Sequence, residues 1–187
     1  VTSTDKPGTL TLDRPSVVKA WPAGDSPAAV SEGFWSEDMK YLMRCCTLCC
    51  DRKLFEKTDA EGDVIGCDPI EEAIFDAFVS NGGNIEELLD RYPRVSEVPF
   101  DSSRRLMTVI YQVNGVYMTV TKGAPEVLIA RCTEVDSEEI NRQARAMFDD
   151  GLKVIAVAVQ SLGRLPEKIT PETVEKDLTF IGLLGLD

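Results

Sequence analysis

Asp5 heads the run Asp5-Lys6-Pro7-Gly8-Thr9-Leu10-Thr11, a combination suited to phosphoryl chemistry. A carboxylate can attack a terminal phosphate and form an acyl phosphate, which divides one difficult hydrolysis into two easier steps. The neighbouring glycine lets backbone approach a phosphate closely, and threonine hydroxyls donate to its oxygens. Lys122-Gly123-Ala124-Pro125-Glu126 is a second such place, a cation and a glycine directly ahead of a helix opened by proline. Glu71 has a structural job within reach: with Asp68 as N-cap it stands at the third helical position, the arrangement of a capping box. Phe100, after Pro99 at the start of a strand, reads on its own as a core aromatic.

The segment Cys45-Cys46-Thr47-Leu48-Cys49-Cys50 also has two readings. CxxC spacing suits thiolate ligation of a metal or a redox pair. On a helix, however, Leu42, Cys45 and Cys49, like Met43, Cys46 and Cys50, fall at helical spacing beside Tyr41 and Leu48, as packed and reduced thiols would. Cys67 and Cys132 form no second CxxC pair. The chain has no histidine, which excludes Ser-His-Asp and Cys-His chemistry within it.

Twenty lysines and arginines against 32 acidic residues leave a formal charge of −12, which argues against nucleic acid or an anionic lipid surface as partner. A polyphosphate ligand would need a locally basic pocket, for which Arg105, Lys122 and Lys153 are available. No apolar run approaches the roughly 18–20 residues that cross a bilayer, and no charged-then-apolar leader is present. With 187 residues and 43% apolar composition, the chain can bury one substantial core.

The elements that must hold these residues follow from periodicity and punctuation. Arg14 to Trp21 reads as a strand, 22–27 as a loop, and Glu37 to Cys50 as a helix. Ala60-Glu61-Gly62-Asp63 carries turn chemistry between short strands. Ile70, Ala73, Ile74, Ala77 and Phe78 form the apolar stripe of a helix that starts at Pro69, and Ile85 to Tyr92 forms another. Arg105 to Gln112 and Val116 to Thr121 flank Asn114-Gly115, a hairpin signal. Helices from Pro125 to Cys132 and from Asp136 to Gly151 precede two strands, Lys153–Gln160 and Leu178–Leu186. The expected fold class is α+β, an antiparallel β-sheet flanked by helices.

Four motifs in one order resemble the P-type ATPases: the Asp5–Thr11 run, Asp68-Pro69-Ile70-Glu71, Phe100-Asp101-Ser102-Ser103-Arg104-Arg105, and Lys122-Gly123-Ala124-Pro125-Glu126. The first resembles the phosphorylated-aspartate loop, with Pro7 in place of the family's threonine. Proline keeps the backbone carbonyl that the family offers to Mg²⁺ and loses the hydroxyl and the N–H. The other three resemble the walls of the ATP pocket in the nucleotide-binding domain. The resemblance implies that Glu71 accepts from the adenine amino group and that Phe100 lies against the adenine face. It implies Arg105 near the phosphates, Ser102 where some relatives carry arginine, and Lys122 and Gly123 on the opposite wall. Gly151-Leu152-Lys153 resembles the family's other phosphate-facing segment, and the final strand, ending at Asp187, resembles the exit of an inserted domain.

The resemblance, closest to bacterial calcium pumps, divides the chain into a phosphorylation-loop fragment and first hinge (1–13), a nucleotide-binding domain (14–177), and a return strand with the second hinge (178–187). It implies ATP as ligand and, in the full-length enzyme, Mg²⁺ at Asp5 and the Pro7 carbonyl. Asp5 would be the phosphorylated nucleophile of a cation-transporting ATPase, with Ca²⁺ as the expected ion. The remaining phosphorylation, actuator and transmembrane domains are the implied partners. The place is the cytoplasmic side of an integral protein of a bacterial plasma membrane, and the fragment itself does not contact the membrane. Alone, it is expected to bind ATP without turnover. The alternatives are a non-catalytic nucleotide-sensing module and a cysteine-based metal or redox module.

Overall fold

The computed structural model describes residues 14–30, 35–56 and 68–187, excepting the side chains at positions 53 and 56. Asp5 and Pro7 with the rest of the first motif, the turn at 59–63, and Cys67 lie outside the described residues. Among the described residues, seven strands form one antiparallel sheet: β1 (Val17–Pro22), β2 (Ala28–Ala29), β3 (Arg94–Asp101), β4 (Leu106–Val113), β5 (Val116–Gly123), β6 (Lys153–Leu162) and β7 (Thr179–Leu186). Their order across the sheet is β2-β1-β7-β6-β5-β4-β3. The first and last long strands are therefore neighbours. At their ends Ser16 donates from its N–H and its hydroxyl to the Asp187 carboxylate, at 3.0 and 2.9 Å.

Helices cover both faces, and the sheet's period-2 pattern divides its side chains between them. Along β6, Ile155, Val157 and Val159 join one core while Val154, Ala156 and Ala158 join the other. The first core packs under α1 (Glu37–Leu48), α3 (Pro69–Ser80) and α4 (Ile85–Arg91), with the single turn α2 (Lys53–Glu56) beside them. The second lies under α5 (Pro125–Ile129) and α6 (Ser137–Asp149). The short α7 (Pro171–Val174) closes a smaller cluster around Val98 and Ile110.

Local chemistry starts and stops these helices. Ser36, Asp68, Asn84 and Asp136 each accept a backbone N–H from the first turn of the helix that follows. Carbonyls at the end of α1 and just past it are met from outside: Arg94 donates to Leu48 O at 2.9 Å and to Cys50 O at 2.7 Å. Gly151, with φ 81°, ends α6 in the left-handed region where a side chain would be strained. Asn114 and Gly115, φ 50° and 79°, form the expected hairpin turn between β4 and β5.

Strand β3 differs from the expectation. Phe100 lies near the end of β3, not at the start of a strand, because β3 begins at Arg94 and includes Pro99. A proline is tolerated there because β3 is the sheet's outer strand.

Candidate functional site

A cavity of about 640 Å³ opens at one end of the sheet. Its floor is built from Met107 on β4, Lys122 and Gly123 at the end of β5, and Ile155 on β6. The N-terminus of α3 contributes Asp68, Ile70 and Glu71. Pro99 and Phe100 form one wall; Ala124, Pro125, Glu126 and Phe148 form the other; Arg105 and Lys153 stand at the rim.

The floor is a buried ion pair. Lys122 Nζ is 2.7 Å from Glu71 Oε2, with both side chains under a tenth exposed. The second carboxylate oxygen, Oε1, accepts the Asp51 N–H at 2.9 Å. Glu71 thus stands where a capping-box partner would, but its carboxylate serves the floor instead, while Asp68 caps α3 by accepting from Ile70 N at 2.7 Å. Burial disfavours the Lys122 ammonium, yet its pKa stands above the ordinary lysine range, raised by Cys49, Cys50 and Glu71 around it. Burial pushes the Cys49 thiol up to about 11 and raises the Cys50 thiol well above its ordinary range. Lys122 therefore remains a charged donor inside the cavity.

The walls differ in character. Phe100 is 59% exposed, so its ring is a free apolar face and not part of the core. Arg105 donates to Glu126 Oε1 at 2.8 Å across the mouth, with both side chains more than half exposed. Exposed pairs of this kind contribute about 0–1 kcal/mol, so an anion arriving at the rim can displace Glu126 at little cost. Gly123 has no room for a side chain: a Cβ there would run into the Arg105 carbonyl and come within 2.8 Å of Leu106 Cδ2. Gly123→Ala is accordingly expected to lower the unfolding free energy measured in urea by about 1–3 kcal/mol, with a lower midpoint, and to push the 101–105 turn away from β5. An unchanged midpoint would mean that the turn yields freely.

Of the residues singled out from the sequence, Glu71, Phe100, Arg105, Lys122, Gly123 and Lys153 line this one cavity, whereas Ser102 does not. Sequence reasoning missed Asp51, Met107 and Phe148. Phe148 is half exposed and sits at the edge of the α6 stripe formed by Ile140, Ala144 and Met147. An aromatic at a stripe's edge beside a helix-ending glycine was the available signal.

The cysteine run lies behind the floor, not in the cavity. Cys45, Cys46, Cys49 and Cys50 are free and fully buried. Cys49 Sγ donates towards Met107 O and Val120 O at 3.4 and 3.3 Å. Burial pushes every one of these thiols up, Cys45 to about 12. Packing accounts for the run, and among the described residues no group of three or more His, Cys, Asp or Glu side chains is placed to hold a metal ion.

A family model described as P-type ATPase, cytoplasmic domain N, matches residues 38–187. The chain belongs to this family. A calcium-transporting ATPase of Listeria monocytogenes is 30% identical over 206 residues, covering 100% of this chain and 22% of that protein. Calcium-transporting ATPase 1 of Lactococcus lactis is 31% identical over 198 residues, with the same coverage. A calcium-transporting ATPase of Bacillus subtilis is 29% identical over 97% of this chain and 23% of its own length. The chain thus spans about a fifth of the length of these relatives. The helix-flanked antiparallel sheet described above is consistent with the domain N family match. Among the described residues, no helix is long and apolar enough to cross a membrane.

Proposed function

We propose that this domain N binds ATP in the cavity above the Glu71–Lys122 pair. The observation that carries the reading is the cavity's three-part chemistry: a buried, charged hydrogen-bonding floor, a bare aromatic wall, and a cationic rim. About 640 Å³ falls within the range of small-molecule and cofactor pockets. The adenine lies between Phe100 and the Lys122–Gly123 part of the floor, with Glu71 reading its amino edge. Arg105 and Lys153 meet the phosphates. Ser102 supplies at most a contact from the neighbouring turn.

In the whole protein, domain closure delivers the terminal phosphate to Asp5, where Mg²⁺ held by Asp5 and the Pro7 carbonyl belongs to the completed phosphorylation site. That protein is a P-type ATPase that uses the aspartyl-phosphate to move a cation, Ca²⁺ on the likeness to the relatives above. It works with the remaining phosphorylation, actuator and transmembrane domains, with this domain on the cytoplasmic side of a bacterial plasma membrane. Residues 1–13 are the phosphorylation-loop fragment with the first hinge and 178–187 the return strand with the second hinge of a 14–177 nucleotide-binding domain, a reading supported by the Ser16–Asp187 hydrogen bonds. Pro7 favours one second reading, a nucleotide-sensing module without phosphorylation, which a phosphoenzyme assay on the full-length protein separates from a working pump.

Calorimetric titration of ATP into this chain tests the site. Saturable binding is expected, with no hydrolysis above buffer, and Phe100→Ala is expected to weaken it by about 1–3 kcal/mol while leaving the unfolding midpoint in place. Absence of binding by the unaltered chain, or an unchanged affinity in Phe100→Ala, would overturn the assignment.

A further inference from the structure

We infer that Arg104, half-buried in the loop 100–105, and the buried Glu175 beneath it are positioning residues for nucleotide binding; the inference rests on the ATP reading of the cavity. Neither side chain lines the cavity. Glu175 follows α7 and is 1% exposed. Its carboxylate receives Arg104 Nε at 2.7 Å, Arg104 Nη2 at 3.2 Å and the Thr108 hydroxyl at 2.6 Å. Arg131 Nη1 donates to its backbone carbonyl at 3.1 Å.

The same Arg104 Nη2 donates to Pro99 O at 3.1 Å and to Leu106 O at 2.8 Å. Those carbonyls stand at the end of β3 and the start of β4, the two feet of the loop. One planar guanidinium, held from below by a carboxylate, therefore fixes the separation of the feet. Phe100 is too exposed to be placed by its own packing, so its ring goes where the backbone puts it. Arg105 is reached in the same way: it adopts φ 62°, its N–H donates to Asp101 O at 2.6 Å, and its carbonyl accepts the Ala124 N–H at 3.2 Å. The pair thus sets the aromatic wall, one rim cation and the facing wall together.

Arg104→Lys keeps a positive charge opposite Glu175 but loses the Nε–H bond to Glu175 Oε1 and the rigid plane that ties it to the Nη2 contacts with Pro99 O and Leu106 O. ATP titration of the unaltered chain, Arg104→Lys, Phe100→Ala and the double variant forms a thermodynamic cycle. Arg104→Lys alone is expected to weaken ATP roughly tenfold, but less than about twofold further in the Phe100→Ala background, since the lost placement is chiefly that of the ring. Amide exchange on the nucleotide-free chain is the second readout: the Arg105 and Ala124 N–H groups should exchange faster in Arg104→Lys, while those of Val120 and Val157 stay protected. Glu175→Gln, which keeps the shape and removes the charge, takes the place of Arg104→Lys if the lysine variant does not fold. Equal losses in the two backgrounds, or unaltered affinity and exchange, would overturn the inference. If the unaltered chain binds no ATP, the nucleotide reading falls separately, and with it the role inferred for this pair, whatever the exchange shows of the loop.

Discussion

Lys122→Ala is expected to lose most ATP affinity and about 3–5 kcal/mol of folding stability together, because it leaves the Glu71 carboxylate buried without its counter-charge. Urea denaturation and calorimetry measure the two losses. They separate in a double variant, Glu71→Gln with Lys122→Met, which removes both charges at similar volume. Stability should return to within about 1–2 kcal/mol of the unaltered chain, whereas ATP binding should not return. A Lys122→Ala variant as stable as its parent would show that the floor carboxylate finds water or another partner. The pH sign follows from a folded pKa raised above the unfolded one. The Lys122 contribution is fully present below the unfolded lysine value of about 10.4 and is lost only as pH rises from there through the folded value. Between pH 6 and 9 the titration of Lys122 leaves stability flat.

Alkali should act earlier, through the cysteines. Unfolded thiols ionise from about pH 8.5, whereas in the folded chain Cys49 is pushed up to about 11 and Cys45 to about 12 by burial, with Cys46 and Cys50 also raised. The folded state therefore holds more protons than the unfolded state above pH 8.5, and stability falls as pH rises. Each thiol contributes up to about 1.4 kcal/mol per pH unit, so four of them remove several kcal/mol between pH 8 and 10. Denaturation under reducing conditions across that range measures the slope, which Cys46→Ala should make shallower. A stability independent of pH from 8 to 10 would mean that the thiols are not buried as described.

Much of this fold is written locally. The Asp68-Pro69 start of α3, the Asn114-Gly115 turn and the Asp136 cap of α6 are short-range devices whose residues carry their own geometry. So was the membership of the cavity, since Phe100, Arg105, Lys122 and Gly123 sit in two compact motifs on β3–β5. What was hidden depends on distance along the chain. The capping pattern at Asp68–Glu71 masked a partner 51 residues away, and the Arg104–Glu175 pair joins positions 71 apart. Strand β3 was obscured for a different reason: an outer strand with Val95 exposed and a proline inside it lacks the clean alternation of a covered one.

The adjacency of β1 and β7 has a kinetic side. Strands β3 to β7 join neighbours in sequence order, but β1, beyond its short pairing with β2, meets β7 from the far end of the chain, with a separation of 171 residues at the adjoining Ser16–Asp187 contact. Closing a loop of that length carries an entropic cost of about 4.5 kcal/mol before any contact offsets it, and intervening structure shortens the effective loop and reduces it. The first strand made is thus the one with most to gain from waiting, and its docking completes a sheet that the rest of the chain has already assembled.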